Sequence, residues 1–116
     1  MAAKLSKQYL KVKQRHPELL SAVESLGKAA KQDGPLDEKA AQLIQLAAAA
    51  AIRSEGAVHS HTKRALEAGA TDEEIRHTLI LLTSTLGFPS VMAALSWADE
   101  KLEANKPPEA GSEWEV

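Results

Sequence analysis

The chain has 116 residues and a formal net charge of −2, a length that favours one domain and a balance that offers no basic field to nucleic acid. Apolar residues make up 44% but aromatics only 3%, so the core is built mainly from alanine and leucine, and its thin burial favours self-association. There is no cysteine, which excludes disulfides, thiolate metal sites and thiol nucleophiles. No apolar run approaches the roughly 18 residues of a membrane span, and the first ten residues lack the apolar stretch of a signal peptide. Cytoplasmic residence is the expectation.

Helix punctuation is frequent and strand signals are weak. Ser6 to Arg15 reads as a first short helix, and His16-Pro17 breaks and restarts it because proline suits the first helical position. Leu19, Leu20, Val23, Leu26 and Ala30 then recur at helical spacing until Gln32-Asp33-Gly34-Pro35 ends the segment. Asp37 is a good N-cap for a helix through Leu43, Ile44, Leu46, Ala47 to Ala51 and Ile52. That helix is apolar on every face, which places it at the centre of the fold or of an oligomer.

The next helix runs from about Glu55 to Ala68, stopped by Gly69, which tolerates a left-handed cap. Thr71 to Glu74 spells a capping box, opening a helix that carries Ile75, Leu79, Leu82 and Leu86 toward the core. Gly87 to Ser90 turns the chain into a last helix ending near Ala104. The expected architecture is all-α, a compact five- to six-helix bundle: a single helical domain over residues 1–105, then a short, acidic, flexible tail over 106–116 that carries Trp114.

Chemistry has one place to gather, the segment from Arg53 to Arg64. His59 and His61 invite a metal reading, but side chains two apart on a helix diverge by about 200° and cannot aim at one ion. No metal is therefore expected unless another subunit adds ligands. His61 shares a face with Ser54, Ala57, Val58, Ala65 and Ala68 and points inward, whereas His59 lies in a charged stripe with Glu55 and Lys63, facing water or a partner. An inward imidazole is also what an ordinary core histidine looks like, so both readings stay open.

Several stretches resemble the carboxymuconolactone decarboxylase/alkyl hydroperoxidase D-like family. These are Leu36-Asp37-Glu38-Lys39 with Gln42-Leu43-Ile44, the run from His61 to Ile75 (HTKRALEAGATDEEI), and Gly87-Phe88-Pro89 followed by Ala93-Ala94-Leu95. The likeness spans about Pro17 to Leu102. It implies an all-α fold assembled into homotrimers or homohexamers, with sites near subunit interfaces and no cofactor. The peroxidase branch resembles a Cys-x-x-Cys relay, but Ser54 and Ala57 stand at the two cysteine positions and Gln42 at the relay glutamate, leaving His61 as the match. Thiol peroxidase activity is thereby excluded.

The decarboxylase branch needs no thiol, and the Gly-Phe-Pro turn is similar to it, although that branch has Glu at the position of Ala57 and Arg at that of Ser54. By this resemblance the chain is identified as a lyase-like, cysteine-free member acting on a small carboxylated or lactone compound. His61 would be the proton shuttle, Ser54 a donor to the developing oxyanion, and Arg53 or Arg64 the anchor for a carboxylate. The alternative is a catalytically silent oligomer that binds a small molecule or serves as a structural subunit. A third reading, Thr71 to Leu86 as a DNA-binding helical pair, is disfavoured by the acidic balance and the leucine-rich second half.

Overall fold

Punctuation by caps and left-handed residues sets the element boundaries in the computed structural model, which describes residues 6–104. Seven helical segments follow one another among these residues, with no strand: α1 (Lys7–Arg15), α2 (Pro17–Gln32), α3 (Glu38–Ala51), α4 (Glu55–Glu67), α5 (Asp72–Ile80), α6 (Thr83–Leu86) and α7 (Phe88–Ala104). The expected tail and Trp114 lie outside the described residues. No helix among the described residues is long and apolar enough to cross a membrane.

The caps act as expected from local chemistry. Ser6 accepts from Tyr9 N, Asp37 from Ala40 N at 2.8 Å, and Pro17 occupies the first turn of α2. Thr71 and Glu74 satisfy each other's backbone donors at 2.9 and 3.0 Å, a complete capping box. After α4, Gly69 takes φ 96° while Ala70 N reaches back to Ala65 O and Gly69 N to Leu66 O. This paired closure satisfies two of the orphan carbonyls at the helix end.

One boundary falls where the sequence put it but by a means the sequence does not show, and one was not legible at all. Arg53 closes α3 in the same manner, with Ser54 N on Ala49 O and Arg53 N on Ala50 O. It does so at φ 56°, a left-handed conformation in which a Cβ is crowded. The helix expected to run from Thr71 to Leu86 is divided: the Thr83 hydroxyl donates to Ile80 O at 2.6 Å, and Leu82 N shifts to Leu79 O. A threonine competing for a backbone carbonyl ends α5 and starts the short α6.

The core sits among α3, α4, α5 and α7. Leu46, Val58, Ala65, Ile75, Leu79, Ala94, Ala98 and Leu102 are buried in one cluster, with Leu82 and Trp97 packed against it. Small side chains on α3, α4 and α7, among them Ala49, Ala50, Ala65, Ala94 and Ala98, are buried in the same cluster. Leu86, expected in the core, is half-buried.

The α1–α2 hairpin stands beside this body. Of the apolar stripe expected on α2, only Leu20 is buried; Leu19, Val23 and Leu26 are exposed. The all-apolar α3 likewise buries Leu46, Ala49 and Ala50 but leaves Ile44 and Ile52 bare. Periodicity told these faces to be covered, and among the described residues they stay exposed.

Candidate functional site

Because α2 leans off the core, a cleft of about 650 Å³ opens between the α1–α2 hairpin and the surface of α3 and α4. Tyr9, Glu24, Lys28 and Lys31 line it from the hairpin, Glu38 from the start of α3, and His61 and Arg64 from α4. Arg64 and Lys31 also border an adjoining pocket of about 250 Å³ with Glu38 and Gln42. His61 thus faces inward from its helix, as the apolar neighbours Val58 and Ala65 require, but opens on a polar cleft rather than being sealed in the core.

The imidazole is held by a chain of hydrogen bonds. His61 Nδ1 lies 2.9 Å from Gln42 Oε1, Gln42 Nε2 donates to Glu38 Oε1 at 2.9 Å, and Lys31 Nζ donates to the same oxygen at 3.1 Å. Gln42 itself is 1% exposed, so its amide has nowhere else to turn. Since the carboxylate of Glu38 only accepts, the amide nitrogen must face it and the amide oxygen must face the ring. Nδ1 therefore carries the proton and Nε2 the lone pair, a tautomer assigned from the network.

Charge around the ring favours that neutral form. Burial holds the His61 pKa below its ordinary value of 6.5, with Arg64 and then Lys31 adding to the effect. The Glu38 carboxyl is held low by the Gln42 hydrogen bond and then by Lys31, so it stays ionised. Further out, the Tyr9 hydroxyl donates to Glu24, which also receives Lys13 Nζ at 3.2 Å; the Tyr9 bond chiefly lowers Glu24 and raises Tyr9. The site is a neutral imidazole in a cleft whose uncompensated charge is cationic.

The sequence matches the pattern of the carboxymuconolactone decarboxylase family over residues 17–100. The chain belongs to that family. It is 37% identical over 84 residues to an uncharacterized protein of Methanocaldococcus jannaschii, covering 72% of this chain and 78% of the relative. It is 32% identical over 90 residues to an uncharacterized protein of Cupriavidus necator, covering 78% and 80%. The crystal structure of the apo form of a carboxymuconolactone decarboxylase family protein from Legionella pneumophila superposes with a TM-score of 0.74 at 34% identity, over 85% of this chain and 88% of that one.

Within this family fold, the residues singled out from sequence do not all meet. His61 and Arg64 share the cleft. Ser54 does not line it: the residue precedes α4 rather than lying on its face, and its hydroxyl accepts from Ala57 N at 3.3 Å as the helix cap. At about 1.5 Å per residue it stands roughly 10 Å along the helix from His61. Arg53, turned by its left-handed backbone, sends Nη1 to Ser90 Oγ at 2.8 Å and is absent from the cleft lining.

Two residues of the site, Lys31 and Glu38, carried no functional signal in sequence. Gln42 reads there only as the loss of a relay glutamate, whereas in the fold it is the tether of His61. His59 also departs from expectation. It is not in a solvated stripe but packs toward α7, with Nε2 2.8 Å from Glu100 Oε2 and 3.8 Å from Glu55 Oε2.

Proposed function

We propose that this family member is a thiol-independent lyase of the carboxymuconolactone decarboxylase kind, acting on a small carboxylated or lactone compound with His61 as its proton carrier. The observation that carries the reading is the His61 ring, fixed through Nδ1 by a buried glutamine and opening on a cleft that holds Arg64. An anionic substrate is drawn to Arg64, which together with Lys28 and Lys31 outweighs the cleft's two carboxylates. Arg53 and Ser54, occupied elsewhere, are left out of the assignment.

The chemistry balances with a single proton carrier. The bond from ring carbon to carboxylate breaks heterolytically, carbon dioxide leaves, and the electron pair is delocalised into the lactone carbonyl as a dienolate. Cationic side chains stabilise that oxyanion. The imidazolium of His61 delivers a proton to carbon and is recharged from water. A histidine whose pKa is held down by burial and neighbouring cations gives, once protonated, a stronger acid than a free imidazolium. The entering carboxylate supplies the negative charge that stabilises the imidazolium.

The test is turnover of a carboxylated lactone, followed by carbon dioxide release. Wild type is expected to show enzyme-dependent decarboxylation, and Arg64→Gln to raise KM by about tenfold or more through loss of a charge-assisted contact. No release above the uncatalysed rate across a panel of carboxylated lactones removes the lyase assignment.

A second reading, a non-catalytic oligomeric subunit, is supported by Leu19, Val23, Leu26, Ile44 and Ile52, large apolar side chains left at 50–75% exposure. Large apolar side chains left bare in such number favour an interaction face. Both readings include self-assembly. Light scattering on the purified protein is expected to give an integral multiple of the 12.4 kDa chain, a trimer or hexamer; a monomer at micromolar concentration overturns the assembly. If the oligomer forms and no lactone is turned over, the silent reading stands.

A further inference from the structure

On the side of α4 away from His61, three side chains with metal-ligating atoms converge. Glu55 lies in the first turn of α4 and His59 one turn later, a spacing that places both on one face. Glu100 reaches them from α7. His59 Nε2, Glu55 Oε2 and Glu100 Oε2 approach as described above, and the three ligand atoms all lie within 4.8 Å of one another.

The imidazole is the anchor of this group. Its side chain is only 20% exposed, while the two carboxylates stand at 55% and 56% on the solvent side. Nε2 itself is buried, and despite its nearness to Glu100 it makes no aligned hydrogen bond. A ring nitrogen withdrawn from water and faced by two carboxylates offers, together with them, three ligand atoms to one cation.

We propose that Glu55, His59 and Glu100 bind a divalent transition-metal ion of the Zn2+ class at the α4–α7 seam. Metal–ligand bonds of about 2.0–2.2 Å require neighbouring donors roughly 3–3.5 Å apart. The 2.8 and 3.8 Å separations bracket that requirement, and half-exposed glutamates can swing by the remaining distance. A neutral imidazole and two carboxylates carry two negative charges, which one divalent ion neutralises.

The mixed nitrogen and oxygen donors select against Mg2+ and Ca2+, which take all-oxygen shells, and in favour of the borderline first-row ions. Three protein ligands leave the solvent side open for water. The site is distinct from the His61 cleft, none of whose lining residues it shares. It pins the first turns of α4 to α7, an effect on stability that needs no substrate. The expectation from sequence that His59 and His61 cannot share an ion stands unaltered, because His59 draws its other ligands from its own turn and from α7.

Calorimetric titration of the chelator-treated full chain with ZnCl2 tests the proposal, with MgCl2 as the control ion. One equivalent of Zn2+ per chain is expected, with little response to Mg2+, and a higher unfolding midpoint in Zn2+. Replacing Zn2+ by Co2+ should give the visible absorption of a nitrogen- and oxygen-ligated ion. The Glu55→Gln/Glu100→Gln double variant, changed only at exposed carboxylates, and His59→Gln should each bind at least about a hundredfold more weakly, since even outer partners of a metal cost about 10–100-fold. His61→Ala should bind as wild type does. Zn2+ affinity unchanged in both the double variant and His59→Gln overturns the site, as does a wild type that binds no stoichiometric Zn2+. In that last case the three side chains only pin α4 to α7.

Discussion

His61→Ala is expected to lower decarboxylation of a carboxylated lactone by about 10²–10⁴-fold, the usual contribution of a positioned acid or base. The effect should fall on kcat, because Arg64 and the lysines still attract the substrate. The pH dependence separates a proton carrier from a packing residue. Burial, then Arg64 and Lys31, keep the His61 pKa below 6.5, so the free enzyme holds it neutral at pH 7. Protonating the dienolate requires the charged ring, whose population grows as pH falls toward that depressed value.

Wild-type kcat/KM should therefore rise between pH 8 and pH 6, and the His61→Ala profile should lose this slope. A wild-type profile that falls over this range, or a variant with undiminished turnover, removes His61 from the mechanism. The same depressed pKa has a consequence for folding. The unfolded chain binds the proton more readily, so the stability tied to neutral His61 is present above pH 6.5 and is lost as pH drops through the folded-state value.

The largest stability effect is expected from Leu46→Ala. Leu46 has no exposed surface and lies where α3 meets the rest of the core. Truncation of a buried leucine costs about 2–5 kcal/mol, combining lost transfer energy with the cavity left behind. Much of the surrounding core is alanine, whose short side chains cannot swing in to fill the space, so the upper half of that range is expected. Set against a total of about 5–15 kcal/mol for a domain, this is a large fraction. Urea titration should show a lower midpoint at unchanged slope. Ile80→Ala, at an exposed position outside the face assigned to self-assembly, is the control. A Leu46 cost no greater than the Ile80 cost contradicts the assignment of the core.

The two predictions draw on different kinds of information. That α3 is central was legible from its unbroken apolar composition, and the inward direction of His61 from the small residues spaced three and four away. What the ring meets there was not legible. Gln42 lies on another helix, and nothing in its neighbours marks it as a hydrogen-bond partner. Arg53 and Arg64 were equivalent as carboxylate anchors in sequence. In the fold the Arg53 guanidinium lies on Ser90, whereas Arg64 lines the cleft with His61.

Ser54 shows the same limit from the other side. Helical periodicity aligned it with His61, but the helix starts one residue later, and a residue that caps a helix is not on its face. His59 was assigned to a solvated stripe because only Glu55 and Lys63 were visible along its own helix. Glu100 enters from α7, which passes over that stripe.

The sequence by itself determined the helical class, nearly all the element boundaries, the exclusion of thiol chemistry and the family. These follow from interactions between residues a few positions apart, or from the absence of a residue type, and both survive without any knowledge of packing. Only the tertiary structure decided which polar groups share a cleft, which arginine lines it with His61, and that Glu100 comes within 2.8 Å of the His59 ring nitrogen. Those outcomes depend on how the helices lie against one another. A small-residue core lets α3, α4 and α7 pack closely, and the hairpin that stands off from them opens the cleft.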